Sequence, residues 1–142
     1  MYKTLVYTVL LISLMEFSLT WKTDDFGKEF VELMTILHNT CINRTGTDDA
    51  AIESIKHGQF IEDDKIKKYI TCLWQESTVV ESDGTMNMDI LMNLCPPKLK
   101  DTVPKLISDC WKEVNGVTDL AEKIYEMEKC LYRTSPETFI MF

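Results

Sequence analysis

Five cysteines, Cys41, Cys72, Cys95, Cys110 and Cys130, are spread along the chain with no Cys-x-x-Cys pair among them. Their meaning depends on the compartment. In oxidising surroundings thiols pair, and a bridge between distant positions dictates which segments become neighbours. In a reducing cell the same residues are small apolar fillers or metal ligands. The N-terminus supplies the compartment. Met1-Tyr2-Lys3-Thr4 carries one positive charge, Leu5 to Leu14 is apolar apart from Thr8 and Ser13, and Ser18 and Thr20 offer small residues where a signal peptidase reads. The apolar stretch is too short to cross a bilayer as a helix, so the layout predicts a secretory signal peptide over 1–20 and not a membrane anchor. The mature domain is then 21–142, and the protein is secreted and extracellular.

In that compartment the cysteines are expected to pair. An odd count leaves at least one thiol free or bonded elsewhere, and two bridges among five cysteines can be drawn fifteen ways. Spacing alone does not choose among them. A zinc site has little to build on, because beyond the scattered cysteines only His38 and His57 could add imidazole ligands. No metal and no cofactor are expected.

Removing twenty residues from 142 leaves 122, the size of one domain with a sizeable core. The removed segment carries Lys3 and Glu16, so the net charge stays at -8. That balance argues against nucleic acid or an anionic membrane as partner and suits a protein kept soluble at high concentration.

Apolar residues recur at the helical period rather than alternating as in strands, which predicts an all-α domain. Phe26, Phe30, Leu33, Leu37 and Cys41 form one stripe. A second helix is predicted over Asp48 to His57, capped by Thr47 and ended by Gly58. A third runs from about Asp63 to Gln75 with Ile66, Tyr69, Ile70, Leu73 and Trp74 on one face. A short buried helix precedes Pro96-Pro97. A fifth holds Leu99, Val103, Leu106, Ile107, Cys110, Trp111 and Val114 together, with Pro104 as a kink or as the true first turn. A sixth begins near Thr118 or Asp119 and turns Leu120, Ile124, Met127 and Leu131 inward. The tail from Thr134 to Phe142 ends in Phe139-Ile140-Met141-Phe142, which water does not favour leaving free. It is expected to pack against the domain.

The cysteine spacing and its flanks resemble the insect odorant-binding proteins. That family carries six cysteines, the second and third separated by three residues, the fifth and sixth by eight, with about 37 to 42 between third and fourth. Cys41, Cys72, Cys110 and Cys130 look like the first, third, fourth and sixth, with 37 residues between Cys72 and Cys110. The missing second falls on Lys68 and the missing fifth on Ala121. The stretches Asp63 to Trp74 and Ala121 to Cys130 are similar to the family's third and sixth helices. In six-cysteine members the second and fifth cysteines bond each other, and here both are absent, so the chain resembles a four-cysteine "minus-C" member. The resemblance implies the pairs Cys41 with Cys72 and Cys110 with Cys130. Cys95 has no counterpart and is expected to be a buried, unreactive thiol.

The resemblance also implies about six helices around an enclosed apolar pocket that carries a small hydrophobic ligand, such as an odorant, a pheromone or a lipid-like molecule. By position the lining is expected from Met34 and Leu37, from Ile55, from Ile70 and Trp74, and from Leu91. Ile107 and Trp111, Met127 and Leu131, and Phe139 of the tail complete it. The chain has eight methionines, six of them within 21–142, which offer a plastic lining. Tyr69, Tyr125 and Thr71 are the candidates for polar selectivity, with pointing to solvent as the alternative for each and the expected outcome for Thr71. Burying about ten methylene-sized groups gains roughly 8 kcal/mol before association costs, so micromolar affinity is expected. A membrane receptor for the loaded carrier is a further partner the resemblance implies, and a monomer or weak dimer is the expected state.

Two other classes compete. A secreted hydrolase would need a histidine and an acid held together or a Gly-x-Ser-x-Gly turn, and neither pattern occurs, so no catalytic residue is assigned and the protein is not expected to be an enzyme. A secreted helical signalling or effector protein acting through its surface would need only helices and bridges, and ligand displacement separates it from a carrier. Asn43-Arg44-Thr45 is a glycosylation acceptor sequence, expected to lie in a loop and to be unused in most copies.

Overall fold

A computed structural model describes residues 26–141; the signal-peptide reading over 1–20 lies outside them. Among the described residues the regular structure is helical apart from one isolated antiparallel bridge, Val80 with Met86. The helices are α1 Lys28–Thr45, α2 Asp49–Lys56, α3 Asp64–Glu76, α4 Met88–Leu94, α5 Val103–Glu113 and α6 Leu120–Thr134. Two 3-10 turns, Pro97–Leu99 and Pro136–Thr138, precede α5 and follow α6. None of these helices is long and apolar enough to cross a membrane.

Local chemistry sets the boundaries. Asp48, Asp63, Asn87 and Asp119 are N-caps whose side chains accept backbone N–H groups of the first turns of α2, α3, α4 and α6. The cap of α2 is therefore Asp48, one residue later than Thr47. The Thr47 hydroxyl instead donates to the Lys65 carbonyl at 2.8 Å and ties the loop before α2 to α3. Pro104 stands in the first turn of α5, where a missing N–H costs nothing, and Leu99 belongs to the preceding 3-10 turn rather than to that helix. After α2, Gly58 takes φ +74, and a Cβ there would lie 2.2 Å from Cε1 of Tyr132. Both the left-handed turn and the close approach of α6 need a residue without a side chain.

α3 is central. It packs against α1 on one side and α6 on the other, while α6 also contacts α5 and the tail turn. The inward stripes of α3 and α6 fill the middle: Ile66, Tyr69, Ile70, Ile124, Tyr125 and Met127 are all 0 % exposed. Two bridges close this arrangement. Cys41 on α1 is bonded to Cys72 on α3 and Cys110 on α5 to Cys130 on α6, both with Cα atoms 5.7 Å apart. In the chain-entropy picture loops of this size stabilise by about 3–4 kcal/mol each. Cys95 is free and buried.

No bridge joins α3 to α6; charges and an aromatic ring do. Lys67 of α3 donates to Glu122 of α6 at 2.6 Å and to Glu62 at 2.6 Å, and Lys129 of α6 donates to Glu62 at 2.9 Å and Glu126 at 2.7 Å. Both ammonium groups approach the Tyr125 ring, at 5.1 and 4.7 Å from its centroid. The Tyr125 hydroxyl donates to the Ile61 carbonyl.

Candidate functional site

The domain has two packed clusters, and the candidate site is the space between them. The main core joins the faces of α1, α2, α3, α5 and α6, while a small cluster gathers Phe26, Cys95 and Leu99 with Phe30, Val31, Val103 and Ile140 around it. The 3-10 turn Pro97–Leu99 carries Leu99 into the smaller cluster, and Val103 of α5 packs against both. What remains is a partly open apolar cavity of about 180 Å³. A dry engineered cavity of about 150 Å³ holds one benzene ring, so this space suits a molecule of roughly ten heavy atoms or fewer.

Its walls come from most of the chain. α1 contributes Phe30, Met34 and Leu37; α3 contributes Leu73 and Trp74, with Ser77 and Val79 just after it; α4 contributes Leu91 and Leu94. Cys95, Pro96 and Leu99 form the wall between α4 and α5, and Val103, Leu106 and Ile107 of α5 continue it. α6 supplies Glu128 and Leu131, and the tail lines a further side with Ser135, Thr138, Phe139, Ile140 and Met141.

The tail is held there by aromatic contacts. Phe139 meets Tyr132 edge to face at 5.3 Å between centroids and Phe60 at 6.2 Å, and Phe60 in turn packs on Tyr125 at 5.6 Å. Edge-to-face geometry places the positive ring edge on the negative face of its neighbour and orients as well as buries the rings. Met141 is buried.

Of the residues assigned to the pocket from sequence, Met34, Leu37, Trp74, Leu91, Ile107, Leu131 and Phe139 stand in its wall. Ile55, Ile70 and Met127 do not: they point into the main core, fully enclosed by neighbouring helices. Trp111 is also outside the wall, half-buried on α5 with the Lys123 ammonium 4.3 Å from its ring centroid. The expected methionine lining reduces to Met34 and Met141. The three polar candidates are turned elsewhere. The Tyr69 hydroxyl is 2.8 Å from Nδ1 of His38, Tyr125 donates to a backbone carbonyl, and the Thr71 hydroxyl donates to the Lys67 carbonyl at 2.8 Å. Asn43 lies in the last turns of α1, not in a loop, and is exposed.

The ionisable residue in the cavity wall is Glu128. It is 5 % exposed, and its Oε1 accepts the indole N–H of Trp74 at 2.7 Å. Burial among apolar groups penalises its charge and raises the carboxyl from 4.5 to about 7, although the Trp74 N–H pulls the other way. The signal for it was in the sequence, since Glu128 lies between Met127 and Leu131 on the inward side of α6, where a carboxylate rarely stands without a partner. Burial likewise pushes the Cys95 thiol up and keeps it in the protonated, unreactive form.

Comparison with known proteins follows the same outline. The sequence model of the PBP/GOBP family matches residues 23–134. General odorant-binding protein 69a of Drosophila melanogaster is 26% identical over 95 residues, which is 66% of this chain and 63% of that protein. In structure, odorant binding protein 5 of Apis mellifera superposes with a TM-score of 0.69 over 85% of this chain and 98% of its own, at 18% identity. Odorant binding protein 7 from Anopheles gambiae, solved with four disulfide bridges and in complex with an azo compound, gives 0.64 over 76% of this chain and 87% of its own, at 25% identity. The all-α arrangement is thus shared with insect odorant-binding proteins whose sequences have diverged widely.

Proposed function

Since the chain belongs to the PBP/GOBP family, we propose that it is a secreted carrier, not an enzyme, and that it holds one small hydrophobic molecule in the cavity between its two apolar clusters. The observation that carries this reading is the cavity itself. A packed domain leaves few voids larger than a water molecule, because each forfeits dispersion contacts, yet here about 180 Å³ is left between walls that are almost entirely apolar. Such a space gains from an apolar occupant what its walls lack. The Anopheles protein is a fold-mate solved in complex with an azo compound.

The signal peptide over 1–20 fits release of a mature 21–142 domain into an oxidising compartment, where the two bridges form. A carrier of this kind delivers its load to a membrane receptor. Binding is expected at micromolar strength, because about ten buried heavy atoms gain roughly 8 kcal/mol before the cost of association. Displacement of naphthalene, a fluorescent hydrocarbon of the size the cavity admits, from the purified, oxidised protein tests the reading: saturable probe binding, reversed by small apolar competitors, supports it, and no saturable binding of any apolar probe of that size overturns it.

A further inference from the structure

Glu128 differs from every other group in the cavity wall. The remaining polar side chains there spend their hydrogen bonds on the protein: the Ser77 hydroxyl donates to the Trp74 carbonyl at 2.9 Å, the Thr138 hydroxyl to the Ser135 carbonyl at 3.2 Å, and the Ser135 hydroxyl to the Glu137 carboxylate. Glu128 has, among the described residues, one hydrogen-bond partner, the Trp74 indole, for a group with two oxygens. It is also the wall's ionisable carboxyl, and it is buried in a wall that otherwise consists largely of apolar side chains such as Leu73, Ile107, Leu131 and Met141. A carboxyl in such surroundings is costly to leave half-satisfied. Helix packing does not force it there, since a leucine would fill the same inward position of α6.

We propose that Glu128 determines the specificity of the cavity and selects an alcohol, a ligand with one hydroxyl on an otherwise apolar, ring-sized body. The inference rests on the carrier reading and deepens it by naming the head group. With Trp74 fixing Oε1 as an acceptor, the carboxyl still requires a partner for its second oxygen. A hydroxyl is both donor and acceptor, so it pairs with the carboxylate by donating and with the protonated acid by accepting. Both forms are populated near neutrality, since burial raises this carboxyl to about 7. An ether, ester or ketone accepts only and leaves the carboxylate bare. An ammonium would bring a second charge into an apolar space, where desolvation opposes it. A hydrocarbon leaves the carboxyl as it was.

The test is displacement of naphthalene from the purified, oxidised protein by three molecules of one shape: phenylethanol, its methyl ether and ethylbenzene. At pH 8.5, where the carboxylate dominates and an ether finds no donor, the wild type is expected to bind the alcohol at least tenfold more tightly than the ether, against the order of their hydrophobicity. In Glu128→Leu that preference should fall to within twofold while ethylbenzene binds more tightly, and Glu128→Gln, which keeps an acceptor oxygen, should retain part of it. Equal binding of alcohol and ether by the wild type, or a preference unchanged in Glu128→Leu, overturns the inference and leaves the carrier reading standing. Failure of all three competitors to displace the probe overturns both. The wild-type comparison decides the matter even where Glu128→Leu does not fold.

Discussion

The indole N–H of Trp74 on α3 donates to Glu128 Oε1 on α6 across 2.7 Å, so one hydrogen bond joins the two central helices at the wall of the cavity. It makes the stability of the domain depend on the protonation of a single carboxyl. Glu128 is raised from 4.5 to about 7 by burial, so the folded protein holds a proton that the unfolded chain has released between those values. Its contribution is fully present below pH 4.5 and is lost as pH rises through 7. Relative to Glu128→Gln, which does not titrate, the wild type is expected to gain about 2–3 kcal/mol on going from pH 8 to 5. Urea denaturation of both proteins at the two pH values measures it, and a difference that stays constant refutes it. Below pH 4.5 the exposed Glu62 acts with the opposite sign: Lys67 and Lys129 hold its carboxyl down to about 2, and those pairs weaken as it protonates.

The tail closes one side of the cavity, so removing it should affect stability and binding together. Deleting Pro136 to Phe142 uncovers the wall formed by Phe139, Ile140 and Met141 and exposes the rings of Phe60 and Tyr132. A loss of about 3 kcal/mol is expected from the apolar area returned to water, with probe affinity reduced at least tenfold. Unchanged melting temperature and unchanged affinity would show that the tail is dispensable.

Gly58 tests the join between the end of α2 and α6. Gly58→Ala forces a side chain into a left-handed turn and into the Tyr132 ring, which is itself braced by Phe60 and Phe139, so about 2–4 kcal/mol should be lost. Placed in a Tyr132→Ala background, the same change should cost only about 1 kcal/mol, the share due to φ, because the steric part is removed. Equal costs in both backgrounds would mean that the ring gives way freely.

The family likeness puts Lys68 and Ala121 where two bonded cysteines stand in six-cysteine members. Their chain neighbours Lys67 and Glu122 are in contact at 2.6 Å, α3 packs on α6, and Lys68 is exposed. Lys68→Cys with Ala121→Cys is therefore expected to form a third bridge on oxidative refolding, to raise the melting temperature by up to the equivalent of about 4 kcal/mol, and to narrow ligand choice by holding α3 to α6. Mass spectrometry that finds both new thiols free after oxidation would place the two positions apart.

The periodicity of apolar residues determined that the chain is helical, and acidic or amide residues at the helix starts fixed most boundaries within a residue or two, because both are local properties of the backbone. About six helices and a tail that packs inward were legible in the sequence alone, whereas Pro104 read equally as a kink or a first turn until the fold placed it at the start of α5. The spacing of Cys41, Cys72, Cys110 and Cys130, read through a family likeness, anticipated which helices are bonded. Which inward residues fill the core and which line a space was not legible. Ile70 and Trp74 lie on the same face of α3, yet Ile70 is enclosed by α1 and α6 while Trp74 stands at the cavity, and the difference depends on how far apart neighbouring helices sit at each level. Glu128 shows the same limit for a polar group: its position on the stripe was visible, but only packing decided that its carboxyl meets Trp74 and an apolar cavity instead of water. Helical faces are set by the chain within four residues, whereas a void is set by every helix that fails to reach it.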